Sequence, residues 1–464
     1  MAASGTETGL TKVIVAAPRR RLEVALPEHL PVAALLPTLL RQGGGDDAGD
    51  GLSSGGWVLR RSDGTPVDTA RSLAAQAVHD GEVLHLQPRY AEWPELEYDD
   101  IVDAIAAGSR QGGPPWTRGA TRLFGLAVTG LFLLLVPVAV LLTGGRWIWP
   151  ATAALVLSAL LAIGGIVLSR ALADSVAGAV VGALALPNGL LGGLLVLGGS
   201  LPLREFGAPQ VLTGSLTVLF LAVIEYFGVA DLRRLFVAGI VAGAAGVLGA
   251  GLALTSMHAE AAAAVVVTIF LIFSPAFPLL SVRLAKVPMP AVPRDADDLR
   301  ATDAFPSLDR TMAQVAHSTE LLSGALLGTG IVAAVGAVVL AASGMVSTLL
   351  LAAVVSAAFM LRARMLVAVR QRLALLVGGL VGLVAVALGV TVAMPGWARF
   401  ALVLPVLVVA AILTCAAALT YSRRAPSPYL GRWGDIGDVV LTLAAGPIAA
   451  AVLGLFQVMR GLAG

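Results

Sequence analysis

Two residue types are almost missing from this chain. Cys415 is the only cysteine, and Lys12 and Lys286 are the only lysines among 31 basic residues. A single thiol excludes an intramolecular disulfide, and its place in an apolar run makes it, by expectation, a small buried residue rather than a reactive one. Neither lysine sits in a G-x-x-x-x-G-K-[ST] loop, so no Walker-type phosphate cradle exists and ATP hydrolysis by that route is excluded. His79 and His85 have no second His or Cys at ligand spacing, so no metal site is expected. Charge is the broadest shortage. Charged residues make up 13% of the chain, about half the ~25% of a soluble protein. The net charge of +2 gives no support to a nucleic-acid partner. The opening MAASGTETG lacks the basic and apolar regions of a cleavable signal, so the first span is expected to direct insertion.

What is abundant is apolar, at 57% of residues, and it is unevenly placed. Residues 1–122 read as soluble. Residues 123–464 are apolar runs of about 20 residues, the length that crosses a hydrocarbon core about 30 Å thick. Ten runs are plain, the first at 123–142 and the last at 439–456. The piece ALADSVAGAVVGALALPNGLLGGLLVLGGSLPL, residues 171–203, reads either as one span kinked near Pro187 or as two short ones. Positive charge decides, because cytoplasmic loops are rich in Lys and Arg. With Arg118 and Arg122 placed inside, one span gathers 17 basic residues on the cytoplasmic side and 4 on the other. Two spans reverse every later loop and leave 6 inside against 15 outside. The expectation is eleven spans, with the N-terminus inside and the C-terminus outside.

The soluble front, residues 1–89, has its own grammar. TKVIVAA and LEVALP are strand runs around a Pro-Arg turn. PVAALLPTLLRQ reads as a helix with Pro at its first position. GGWVLRRSDG gives a third strand, RSLAAQA a short helical stretch, and EVLHLQ a last strand after the Asp80-Gly81 turn. The order of hairpin, helix, strand, short helix and strand resembles a ubiquitin-like β-grasp. The closing TARSLAAQAVHDGEVLHLQPR carries the likeness best. The chain runs on into Tyr90 with no free Gly-Gly end, so conjugation is excluded and the resemblance implies a docking surface.

Residues 90–122 form a linker and juxtamembrane segment. In PELEYDDIVDAIAAGSR, Tyr98, Ile101, Val102 and Ile105 fall at i, i+3, i+4 and i+7, one helical face. That face either folds back on the soluble front or is covered by a partner. Residues 282–320 form the one long internal loop, and SLDRTMAQVAHSTELL at its end reads as a helix capped by Ser307. His317 and Glu320, three apart on it, are expected on a solvated face.

Inside the spans ionisable residues are rare. Glu225, in VLFLAVIEYFGVADLRR, is the one acidic residue expected within a span, with Asp174, Asp435 and Asp438 at borders. A proton-coupled transporter would carry more. Glycine fills the gap. Gly239 with Gly243, Gly324 with Gly328, and Gly378 with Gly382 each make a G-x-x-x-G, the spacing that lets helices approach closely.

A cytoplasmic ubiquitin-like domain, a Y-D-D-I-V-D-A-I-A connector at residues 98–106 and eleven spans resemble EccD, the multi-spanning subunit family of type VII (ESX) secretion systems. The Arg-rich, Lys-poor usage fits a high-GC actinobacterium. The resemblance implies a non-enzymatic subunit with no cofactor, assembled in the inner membrane with EccB, EccC and EccE. It also implies two copies per protomer, spans enclosing a lipid-filled vestibule, and a front domain that contacts the EccC ATPase. The competing reading is a small-molecule secondary transporter with a regulatory domain, which an inverted repeat of spans would favour; no repeat is evident.

Overall fold

The computed structural model describes residues 9–17, 21–43, 57–88, 116–255, 257–288, 308–423, 427–456 and 459–460. The chain divides into two compact units, Met1–Pro115 and Trp116–Gly464.

In the first unit, β1 (Leu10–Ala16) and β2 (Arg21–Pro27) pair antiparallel, with Val13 opposite Val24. Then come α1 (Val32–Gly43), β3 (Trp57–Arg61), a 3-10 turn at Ala74–Gln76 and β4 (Val83–Pro88). The sheet order is β2-β1-β4-β3, with β1 parallel to β4. This is the expected β-grasp. Alternation along each strand sends Val13, Val15, Leu26, Leu59, Leu84 and Leu86 to one face, where α1 meets them with Val32, Leu35 and Leu39. Two acidic residues fix the turns. The Asp80 carboxylate accepts the Lys12 backbone N–H at 2.6 Å, tying the turn before β4 to β1. Asp63 accepts both the hydroxyl and the N–H of Thr65 after β3. The hydroxyl bond, then the backbone bond, holds the Asp63 carboxyl below its ordinary value.

Among its described residues, the second unit holds eleven helices long and apolar enough to cross a membrane. They are α2 (Arg118–Leu142), α3 (Ile148–Arg170), α4 (Ser175–Val196), α5 (Ala208–Gly228), α6 (Arg233–Leu254), α7 (Ala259–Leu284), α8 (Leu308–Ala342), α9 (Val346–Ala363), α10 (Val369–Ala393), α11 (Gly396–Tyr421) and α12 (Tyr429–Val452). The ambiguous piece resolves as the single helix α4, which runs through Pro187. Asn188 steadies it there, donating to Leu184 O at 2.9 Å. Helices α3 to α6 pack in sequence, and α8 joins them to the second group through α6 and α10. α7, α8, α9, α10 and α12 share one apolar core that includes Leu271, Leu340, Leu351, Phe359 and Leu375.

α8 starts at Leu308 and runs for 35 residues, so SLDRTMAQVAHSTELL is helical from Leu308 onward, as expected; Ser307, its expected cap, lies outside the described residues. Three expectations are corrected. α12 starts ten residues earlier than the apolar run suggests, and Asp435 and Asp438 fall within it rather than at its border. His317 and Glu320 face neighbouring helices rather than solvent. Cys415 is exposed, not buried. It lies on α11, which like α2 has nothing buried along its most apolar stretch. α11 meets α10 through a π-helical turn, Arg399–Val403, leaving the sides of its later turns open.

Candidate functional site: polar nodes in a glycine-packed bundle

All three glycine pairs lie at helix crossings. On α6, a Cβ at Gly239 would fall 2.9 Å from the Ala222 Cβ of α5, and one at Gly243 would fall 2.9 Å from Leu219 N. On α8, a Cβ at Gly324 would sit 2.7 Å from Arg234 O, and one at Gly328 2.9 Å from Ala238 O, both on α6. On α10, Gly378 lies against Gly330 of α8, where an added Cβ would come within 2.7 Å of Gly330 Cα and closer still to its carbonyl oxygen. Gly382 abuts the Ser356 hydroxyl of α9. Real Cβ contacts do not reach such distances, so only glycine lets these backbones meet. Sequence reading missed a further set of the same spacing. Gly178 and Gly182 of α4 face α3 and α5, and a Cβ at Gly178 would fall 2.8 Å from Ser169 N.

Between these seams sit polar nodes. The largest surrounds Arg362 in the last turn of α9. α7 breaks into a 3-10 turn at Ser274–Ala276 because Pro275 has no N–H to give Leu271 O, its partner one turn back. Arg362 Nη1 supplies that missing donor at 2.5 Å and reaches Ser274 Oγ at 2.5 Å. Its Nη2 donates to both Asp438 oxygens of α12 at 3.2 Å and to Thr442 Oγ1 at 2.9 Å. Arg362 and Asp438 are each 8% exposed. One guanidinium therefore joins α7, α9 and α12 and satisfies a proline-orphaned carbonyl. The neighbouring Arg364 pairs with Asp435 of α12 nearer the surface.

A second node joins α5, α6 and α8. Glu320 accepts from Arg234 Nη1 at 2.7 Å and from the Arg234 backbone N–H at 3.3 Å. It thereby caps the N-terminus of α6 from another helix, where the helix dipole favours a carboxylate. His317 Nε2 lies 3.5 Å from the Tyr226 hydroxyl of α5, and the Arg233 guanidinium lies over the Tyr226 ring. Arg170 of α3 closes the same end of α5, donating to Gly228 O at 2.8 Å and Phe227 O at 3.0 Å. One turn inward, Glu225 is 0% exposed, and neither carboxyl oxygen has a partner.

Most of these side chains fasten helices. Charged groups bond to helix ends or to each other, and among the described residues no three His, Cys, Asp or Glu side chains could hold a metal ion. The connector residues Tyr98, Ile101, Val102 and Ile105 lie outside the described residues.

Comparison with known proteins fits this arrangement. Residues 121–462 match the family described as EccD-like transmembrane domain, and residues 10–86 match the family of the WXG100 protein secretion system protein YukD. Among curated relatives, the ESX-3 secretion system protein EccD3 of Mycobacterium tuberculosis is 28% identical over 386 residues, covering 78% of this chain and 79% of that protein. The ESX-4 secretion system protein eccD4 of the same organism is 26% identical over 473 residues, covering 98% of each. The fold is also that of a chain in protomer 1 of the ESX-3 core complex, with a TM-score of 0.59 and 22% identity over 97% of this chain and all of that one. A chain of the MycP5-free ESX-5 inner membrane complex gives a TM-score of 0.55 at 20% identity, over 88% of this chain and 99% of that one. With the eleven-helix unit matched along nearly its whole length, the chain belongs to the EccD family.

Proposed function

We propose that the chain is a non-enzymatic scaffold subunit of a type VII (ESX) protein-secretion complex in the bacterial plasma membrane. The observation that carries this reading is the joining of a β-grasp unit to eleven apolar helices in one EccD-family chain. The fastening role of its buried charges supports it, since Arg362, Arg234, Asp438 and Glu320 are engaged with one another and with helix backbone. In this reading the spans of two copies enclose a lipid-filled vestibule. The β-grasp unit docks the ATPase motor, an EccC-type subunit, beside EccB- and EccE-type partners.

The charge balance of the loops puts the N-terminus in the cytoplasm and the C-terminus outside. A reporter fused after Gly464 should be active only outside the cytoplasm, and one inserted near Asp297 only inside. The opposite pattern would undo both the orientation and the cytoplasmic docking surface.

The connector is the proposed contact with partners. Each of its apolar side chains, Tyr98, Ile101, Val102 and Ile105, is worth about 1.5–3 kcal/mol when fully buried. Ile101→Asp with Ile105→Asp should leave the chain inserted yet weaken capture of EccC-type and EccB-type partners by roughly 100-fold, about 3 kcal/mol. Charge on a face that must become dry is costly. If the stripe instead packs on the β-grasp, the double variant lowers the melting temperature and leaves capture by the inserted chain unchanged. Unchanged capture would sink the docking role.

A further inference from the structure

Among the described residues, Glu225 is the one buried acid that fastens nothing. It lies on α5, three residues before the end of that helix. Its carboxyl rests against the backbone of Gly182 on α4, so closely that a Cβ there would sit 2.5 Å from Oε2 and 3.1 Å from Oε1. The surroundings at this end are apolar: Ala179, Val229 and Phe236 form a buried cluster with Ile166 and Ala183 packed on it. None of the polar groups nearby bonds to it, although Arg233 Nε is itself buried without a hydrogen-bond partner. Ser169 Oγ of α3 accepts the Ala230 N–H. Arg170 holds the carbonyls of Phe227 and Gly228. Arg234 holds Glu320 on α8, while Arg233 of α6 and His317 of α8 lie against Tyr226.

An ionised carboxylate in such a place would need a counter-charge or several donors. Among the described residues neither oxygen has one. We propose that Glu225 is a proton-binding site within the bundle, held as the uncharged acid, and that its proton keeps α4 and α5 in contact at Gly182. When the acid gives its proton to water, the remaining carboxylate must acquire donors. The close approach at Gly182 has no room for them, so the α4–α5 seam loosens. This reading is independent of the secretion assignment.

Infrared spectroscopy of the full-length chain in lipid nanodiscs tests it. The difference between wild type and Glu225→Gln at neutral pH should show the carbonyl stretch of a protonated carboxylic acid, shifting down in D2O. Carboxylate bands in its place would mean an ionised Glu225 facing a counter-ion such as Arg233, and would overturn the proposal; so would a featureless difference. Thermal melting gives a second reading. The neutral, isosteric Glu225→Gln should melt within about 2 °C of wild type. A large fall, or failure to fold, would show that the negative charge is needed and would equally overturn it.

Discussion

Arg362→Met is expected to destabilise the helical unit by about 3–5 kcal/mol, the cost of breaking a buried ion pair from one side. The change strands the Asp438 carboxylate, which is 8% exposed, and removes the charged donor from Leu271 O, leaving it only the Ser274 hydroxyl at 3.1 Å. Methionine fills most of the volume, so packing is not the main loss. The pair Arg362→Met with Asp438→Leu should recover much of the deficit, because two apolar side chains replace two charges that both required desolvation. Some deficit should persist, since Leu271 O still lacks the donor that Pro275 cannot give. Arg364→Gln is the control. Its partner Asp435 is 62% exposed at the side chain, so the loss should stay within about 1 kcal/mol. Unfolding of the three variants in one lipid system measures these differences. Equal effects at Arg362 and Arg364 would mean that the node around α7 is not a buried tie.

Most of the architecture is legible in the residues. Strand alternation and the Asp80-Gly81 turn give the β-grasp, and run length with loop charge gives eleven spans. The misread polar residues share a cause, which is that each one's partner lies far along the chain. The stretch GRWGDIGD looks too polar to be membrane helix, so α12 is expected to begin after it. Asp438 is neutralised by Arg362, 76 residues away, and the helix can therefore include it. Glu320 looks solvated until Arg234, 86 residues earlier, is brought to it. Cys415 fails for the opposite reason. An apolar run signals only an apolar environment, and in a membrane helix that environment need not be protein. The glycines were legible as spacing, but which helix each one meets depends on how the bundle folds.

Gly378→Val is the other large effect expected. Gly378 of α10 and Gly330 of α8 touch backbone to backbone, so an added side chain meets atoms that cannot rotate away. Overpacking of this kind costs about 1–3 kcal/mol in ordinary cores, and a rigid backbone on the far side places this site at about 3 kcal/mol. Gly378→Ala should already be harmful, because the first clash is with Cβ itself. The effect should also spread. α8 carries Glu320, which caps α6, and α10 packs on α9, so pushing α8 from α10 strains the crossings on either side. Gly446 of α12 makes a matched control, with nothing within 4 Å of an added Cβ. Gly446→Val should cost no more than the β-branched penalty, a few tenths of a kcal/mol. Melting of both variants in the same nanodiscs separates a packing seam from a general dislike of valine in these helices. If Gly446→Val fell as far as Gly378→Val, the close α8–α10 contact would not be what holds the two halves of the bundle together.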